Sequence, residues 1–95
     1  MKAYLLGDII SIRLFALMGI EGKPPTDDPI GDLREMLYIP DAGIIFVTTS
    51  IAKKIRNKAE GLLRSKHPVV IEVPDIDNPQ VSDSVIDRIE KMLGS

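Results

Sequence analysis

An unbroken apolar run, Ala3-Tyr4-Leu5-Leu6, followed at once by Gly7-Asp8, sets the strongest constraint on what this chain can fold into. A half-exposed strand would alternate apolar and polar side chains, so a continuous run suits a parallel strand covered on both faces. Gly7, with no Cβ, allows a sharp turn, and Asp8 can cap a following helix by accepting amide hydrogens of its first turn. Residues Ile9 to Ile20 continue as that helix. Ile12, Phe15, Ala16 and Gly19 share one side, and Leu14, Leu17 and Met18 widen it until Arg13 is the sole charge, so the helix is expected to be mostly covered. Gly19 suits a left-handed helix ending.

The same alternation continues. Ile20 to Pro25 occupies the place of a second strand, but its glycine and prolines allow a short edge strand at most. Asp28-Pro29 marks a helix start, with Asp28 as cap, and the helix carrying Ile30, Leu33, Met36 and Leu37 stops before Pro40. Gly43-Ile44-Ile45-Phe46-Val47-Thr48 is the most apolar run and reads as a central buried strand. Thr48, Thr49 or Ser50 caps a third helix with apolar Ile51, Ile55, Ala59, Leu62 and Leu63, and with Lys53, Lys54, Arg56, Asn57, Lys58 and Glu60 facing water. Val69 to Val73 forms a strand bracketed by Pro68 and Pro74, with Glu72 toward solvent. A last helix is expected over about residues 82–93, with Val85, Ile86, Ile89, Met92 and Leu93 on one side. The fold class is therefore α/β, a three-layer α-β-α domain over residues 1–95 with a mostly parallel sheet in strand order 2-1-3-4.

Composition excludes several function classes. Twelve basic and fourteen acidic residues give a net charge of −2, with no basic block of the kind that neutralises phosphates, so no nucleic-acid partner is expected. The chain has no cysteine, which removes disulfides, thiolate chemistry and cysteine zinc sites. Ile9 to Ile20 is too short and too polar to span a bilayer. Lys2 alone makes a thin charged region and no cleavage site follows, so a signal peptide is not expected.

In this architecture a ligand would sit beyond the carboxyl ends of the strands, near Gly7, Asp8, Thr48, Thr49, Pro74 and Asp75. Gly7 alone makes no phosphate-binding loop. A response-regulator receiver has the same alternation, but Thr48 stands at its acceptor position and of its acids only Asp8 is present. Asp8 reads as a cap, His67 as a surface residue, and the doublets Asp27-Asp28 and Asp75-Ile76-Asp77 as turn and cap chemistry. No catalytic, cofactor-binding or metal-binding residue is assigned. In the last helix core packing is favoured for Ile86 and Ile89, Met92 and Leu93 are the better candidates for contact with another protein, and Ile89, Met92 and Leu93 are together the candidate partner-binding residues.

Gly7-Asp8, Ser11-Ile12, Phe15, Leu17 and Gly19-Ile20 resemble the opening of the F subunit of archaeal and vacuolar type (A-type and V-type) rotary ATPases. Gly43 to Thr48, Ile51-Ala52, Pro68 to Ile71 and Val73-Pro74-Asp75 continue the likeness in the family's order, although Leu14 and Ala16 stand where the family commonly has Gly and Arg. The resemblance implies a non-catalytic central-stalk subunit, without a cofactor, that binds a D-type coiled-coil stalk subunit and couples ATP turnover to proton or sodium movement. It also implies a place on the cytoplasmic side of a membrane, held through partners rather than by insertion. The other reading is a degenerate receiver-like signalling or small-molecule-sensing domain using the ground near Asp8 and Thr48.

Overall fold

The computed structural model describes residues 1–76. They form β1 (Lys2–Leu6), α1 (Ile9–Ala16), β2 (Glu21–Lys23), α2 (Pro29–Met36), β3 (Ala42–Thr48), α3 (Thr49–Ala59) and β4 (Val69–Val73), with a 3₁₀ segment Glu60–Arg64 after α3. The four strands are all parallel, in the order β2-β1-β3-β4. This is the order read from the alternation of apolar runs and helices.

The path of the chain dictates the layers. From β1 the chain moves outward to β2, then doubles back past β1 to β3 and on to β4. Right-handed crossovers therefore put α1 on one side of the sheet and α2 and α3 on the other. The strand side chains divide accordingly. Tyr4, Leu6, Ile45 and Val47 meet Leu33 and Met36 of α2 and Ile51, Ala52 and Ile55 of α3. Leu5 and Phe46 point the opposite way, to Phe15 and Ile12 of α1 and to Ile76. Phe15 and Phe46 meet edge to face, with centroids 5.5 Å apart, a favoured aromatic geometry. Leu5, Leu6, Leu33, Ile45 and Ile55 are wholly buried, and each contributes about 1.5–3 kcal/mol by leaving water.

The ends of the helices follow local chemistry. Asp28 caps α2 by accepting from the Gly31 amide at 3.0 Å, with Pro29 in the first turn. After α1 the backbone turns through Gly19 at φ +78°. The Ile20 amide donates to the Phe15 carbonyl at 3.1 Å and the Gly19 amide to Ala16 at 3.0 Å, the paired bonds of a Schellman ending. β2 is a three-residue edge strand, as its glycine and prolines allow. A Cβ on Gly22 would lie 2.8 Å from Ile12 Cγ1, so glycine lets α1 press close to this edge.

Three expectations need correction. The outer side of α1 is open, with Ile9 58%, Ile10 47% and Leu17 64% exposed, because one sheet layer can cover only one side of a helix. The third helix is not continuous to Leu63. It leaves α geometry at Ala59, with φ −149° and ψ 51°, ahead of Gly61, a poor helix former, although Leu62 and Leu63 still pack on the core. Its N-terminus is not capped by Thr48, whose side chain makes no capping bond. Asp75, beyond β4, accepts instead from the Ser50 amide at 3.1 Å and from its hydroxyl at 2.5 Å. The helix expected over 82–93 lies outside the described residues.

Toward the start of β1 and β3, the Tyr4 hydroxyl donates to Asp41 Oδ1 at 2.6 Å, and the Lys2 ammonium lies 3.8 Å from Asp41 Oδ2. The hydrogen bond, helped by burial and by the negative charge of Asp41, pushes Tyr4 up to about 12, and the same bond holds Asp41 below its ordinary value. The sign for stability follows from linkage. The Tyr4 contribution is full below about pH 10, the unfolded value, and is lost as pH rises through the folded value. The Asp41 contribution is full above its unfolded value near 4 and is lost as pH falls through the lowered one. Urea unfolding of the wild type and of Tyr4→Phe from pH 8 to 11.5 should show the difference in stability between them shrinking above pH 10. A constant difference over that range would contradict the assignment.

Candidate functional site

Ligand sites in open α/β sheets lie where neighbouring connections leave the strand ends in opposite directions. Here that point is between the ends of β1 and β3. Gly7 and Asp8 leave β1 toward α1, and Thr48 and Thr49 leave β3 toward α3.

Among the described residues, Gly7 and Thr48 close together in this crevice. A Cβ on Gly7 would stand 2.8 Å from the Thr48 methyl, and Thr48 is only 1% exposed. The φ of Gly7 lies outside the positive region, which among the described glycines only Gly19 occupies. Glycine is therefore needed at position 7 for close approach of the two strand ends, not for the turn conformation first expected of it. Both oxygens of Asp8 are engaged by one residue: Oδ2 accepts from the Ser11 amide at 3.0 Å and Oδ1 from its buried hydroxyl at 2.6 Å. On the other side, Asp75 holds Ser50, and the Thr49 hydroxyl donates to the Val73 carbonyl at 3.2 Å. These hydroxyls and carboxylates fasten helix starts to strand ends. Among the described residues no base stands ready beside a free nucleophile, and the receiver's acceptor position is taken by a buried methyl-bearing side chain.

Other polar groups are similarly committed. Asp32, buried on α2, accepts from the Thr26 amide at 2.7 Å and from its hydroxyl at 2.9 Å, fixing the loop before α2. His67 is exposed beside Pro68. Among the described residues no three His, Asp or Glu side chains come together as a metal-binding group. A cleft of about 220 Å³ lies between β2 and α2, lined by Tyr4, Gly22, Met36 and Ile39. A shallow groove of about 340 Å³ sets Asp27 and Asp28 against Lys54 and Lys58, a mixture of charges that selects neither anion nor cation.

What stands out is a surface. At about 100° per residue, Ile9, Ile10, Arg13, Ala16 and Leu17 fall on one side of α1, opposite the buried Ser11 and Phe15. All five are exposed. The outer side of α3, by contrast, carries Lys53, Lys54, Arg56, Asn57 and Lys58, the composition expected of a face left in water. Reading α1 as nearly all apolar hid this surface, although the spacing of positions 9, 13 and 17 was the signal. Of the residues singled out from sequence, Gly7 and Asp8 lie together at the β1–α1 turn, and Ile89, Met92 and Leu93 lie outside the described residues. No helix among the described residues is long and apolar enough to cross a membrane.

Comparison with known proteins adds an independent line. The family described as ATP synthase (F/14-kDa) subunit matches residues 4–92. The F subunit of the A-type ATP synthase of Pyrococcus furiosus is 29% identical over 82 residues, which take in 79% of this chain and 76% of that protein.

The closed crevice makes a steric prediction. Gly7→Ala should destabilise the domain by about 1–3 kcal/mol through overpacking, and adding Thr48→Ser, which deletes the opposing methyl, should recover part of that loss. Urea unfolding of the two single variants and the double variant measures the coupling. Strictly additive effects would show that the contact is not the reason for glycine.

Proposed function

The chain belongs to the ATP synthase (F/14-kDa) subunit family, and on that premise we propose that it is a non-catalytic central-stalk subunit of a rotary ATP synthase or ATPase. In this reading it binds a coiled-coil stalk subunit, turns with it, and helps couple ATP turnover to proton or sodium transport. Attachment at the cytoplasmic face of the membrane then comes through the complex. The observation that carries the reading is the family match, which runs over residues 4–92 and so includes both the strand-end turn and the C-terminal segment.

The geometry supports a binding role. A stalk subunit needs a rigid body and an outer surface that fits its partners, and it needs no pocket. The α1 turn is fastened by Asp8 and Ser11, the strand ends are closed by Gly7 against Thr48, and the exposed apolar side of α1 is available for contact. The C-terminal stripe of Ile89, Met92 and Leu93 is a second proposed contact, on the strength of its sequence pattern.

The reading is tested by titrating the purified coiled-coil stalk subunit of the same complex with the full chain. The wild type should bind, and Met92→Asp combined with Leu93→Asp should weaken binding by about tenfold or more, the cost of losing an apolar anchor of about 1.4 kcal/mol or above. Circular dichroism should show the variant still folded. Failure of the wild type to bind would overturn the stalk assignment. A variant that melts early while its folded fraction binds normally would make Met92 and Leu93 core residues.

A further inference from the structure

The geometry points to Asp75 as a positioning residue: with Ser50 it clamps the chain as it leaves β4, and so sets the point from which residues 77–95 carry Met92 and Leu93 to the stalk subunit. The inference rests on the stalk-subunit reading and deepens it by naming what holds the C-terminal contact in place.

Successive residues at the end of β4 and beyond are fastened to different parts of the domain. The Val73 carbonyl accepts from the Thr49 hydroxyl at 3.2 Å, and Pro74 then locks its own φ and holds Val73 extended. Asp75 Oδ2 accepts from the Ser50 amide at 3.1 Å and from the Ser50 hydroxyl at 2.5 Å, and Oδ1 shares the same amide at 3.3 Å. Ile76, only 2% exposed, packs with Leu5 and Phe15 on the α1 side of the sheet. The chain is thus tied to the start of α3 and, one residue later, to the core beneath α1. Both the place and the side of its exit are fixed.

Capping alone would not require this arrangement. A helix is ordinarily capped by the residue that precedes it, and Thr48 stands there with a hydroxyl. Its side chain is buried and makes no capping bond, so the start of α3 depends on a carboxylate 25 positions away. The bond that completes α3 is therefore also the bond that holds the chain leaving β4. A contact made farther along the chain loses less entropy on binding when its origin is held. Because the clamp acts through the apolar stripe and not by touching the partner, removing it costs no more affinity than removing the stripe.

The test measures binding of the full chain to the purified coiled-coil stalk subunit by calorimetry, with melting curves for every variant. Asp75→Ala should weaken binding about fivefold in the otherwise wild-type chain, and no further in the chain that carries Met92→Asp and Leu93→Asp. Ser50→Ala, which deletes only the hydroxyl bond, should show a smaller loss of the same kind and serves as the test should Asp75→Ala fail to fold. Asp75→Asn keeps an oxygen for the Ser50 amide and should recover most of the affinity. As a control, Asp28→Ala removes a cap of the same kind from α2 and should lower the melting temperature by about 5 °C while binding as the wild type does. Wild-type affinity in both Asp75→Ala and Ser50→Ala would overturn the positioning role and leave the stalk reading standing. So would a loss that Asp28→Ala matches, which is an effect of stability, or one that persists in full beside Met92→Asp and Leu93→Asp, which gives Asp75 a contact of its own. Asp75→Asn binding as weakly as Asp75→Ala would likewise assign the effect to the charge and overturn the clamp. If Met92→Asp with Leu93→Asp binds as the wild type does, there is no contact for the clamp to hold, and the inference falls while the stalk assignment stands. If the wild type does not bind, both fall.

Discussion

The structure depends on the pairing of β1 with β3 at the centre of the sheet. Leu5, Leu6, Ile45 and Val47 are wholly buried there, and alternate side chains of these two strands supply the cores on both sides. Two strands buried on both faces leave the rest of the chain little choice. Helices must cover each side, crossovers must be right-handed, and the short β2 and the β4 strand become the edges. At the strand ends Gly7 packs tightly against the Thr48 methyl. The place where this architecture usually admits a ligand is thereby converted into packing.

Because α1 stands on the opposite side of the sheet from α2 and α3, its outer surface meets no second helix among the described residues. The two other helices support each other, and α3 turns three lysines and Arg56 to water. α1 turns outward a ridge of isoleucine, arginine and leucine instead. Membership of a family of ATP synthase subunits gives that surface a setting. The likeness first carried by Gly7-Asp8 and by the run Gly43 to Thr48 is borne out by a match that spans residues 4–92.

Much of the fold was legible because its signals are local. Continuous apolar runs marked the buried strands, Asp28-Pro29 marked a helix start, and Gly19 marked a helix end. The features that escaped are made by residues far apart or by the third dimension. Asp75 caps α3 across 25 positions and Asp32 ties down Thr26 across six, pairings that no periodicity announces. Gly7 was legible as a necessary glycine but not for its reason, since the obstructing methyl belongs to another strand. The exposure of Ile9, Ile10 and Leu17 could not be read from an apolar helix, because sequence does not say how many layers will cover it. Site residues Ile89, Met92 and Leu93 rest on sequence pattern and lie beyond the described residues.

Since the chain has no cysteine of its own, single cysteines can report its contacts directly. The decisive measurement is cross-linking within the assembled complex from Leu93→Cys in the C-terminal segment and, separately, from Lys53→Cys on α3, each carrying a short photoactivated linker. The expected result, on the proposed function, is a covalent product between position 93 and the coiled-coil stalk subunit, with none from position 53. A product from position 53 alone, or none with the stalk subunit from either site, would contradict the proposed stalk-subunit role.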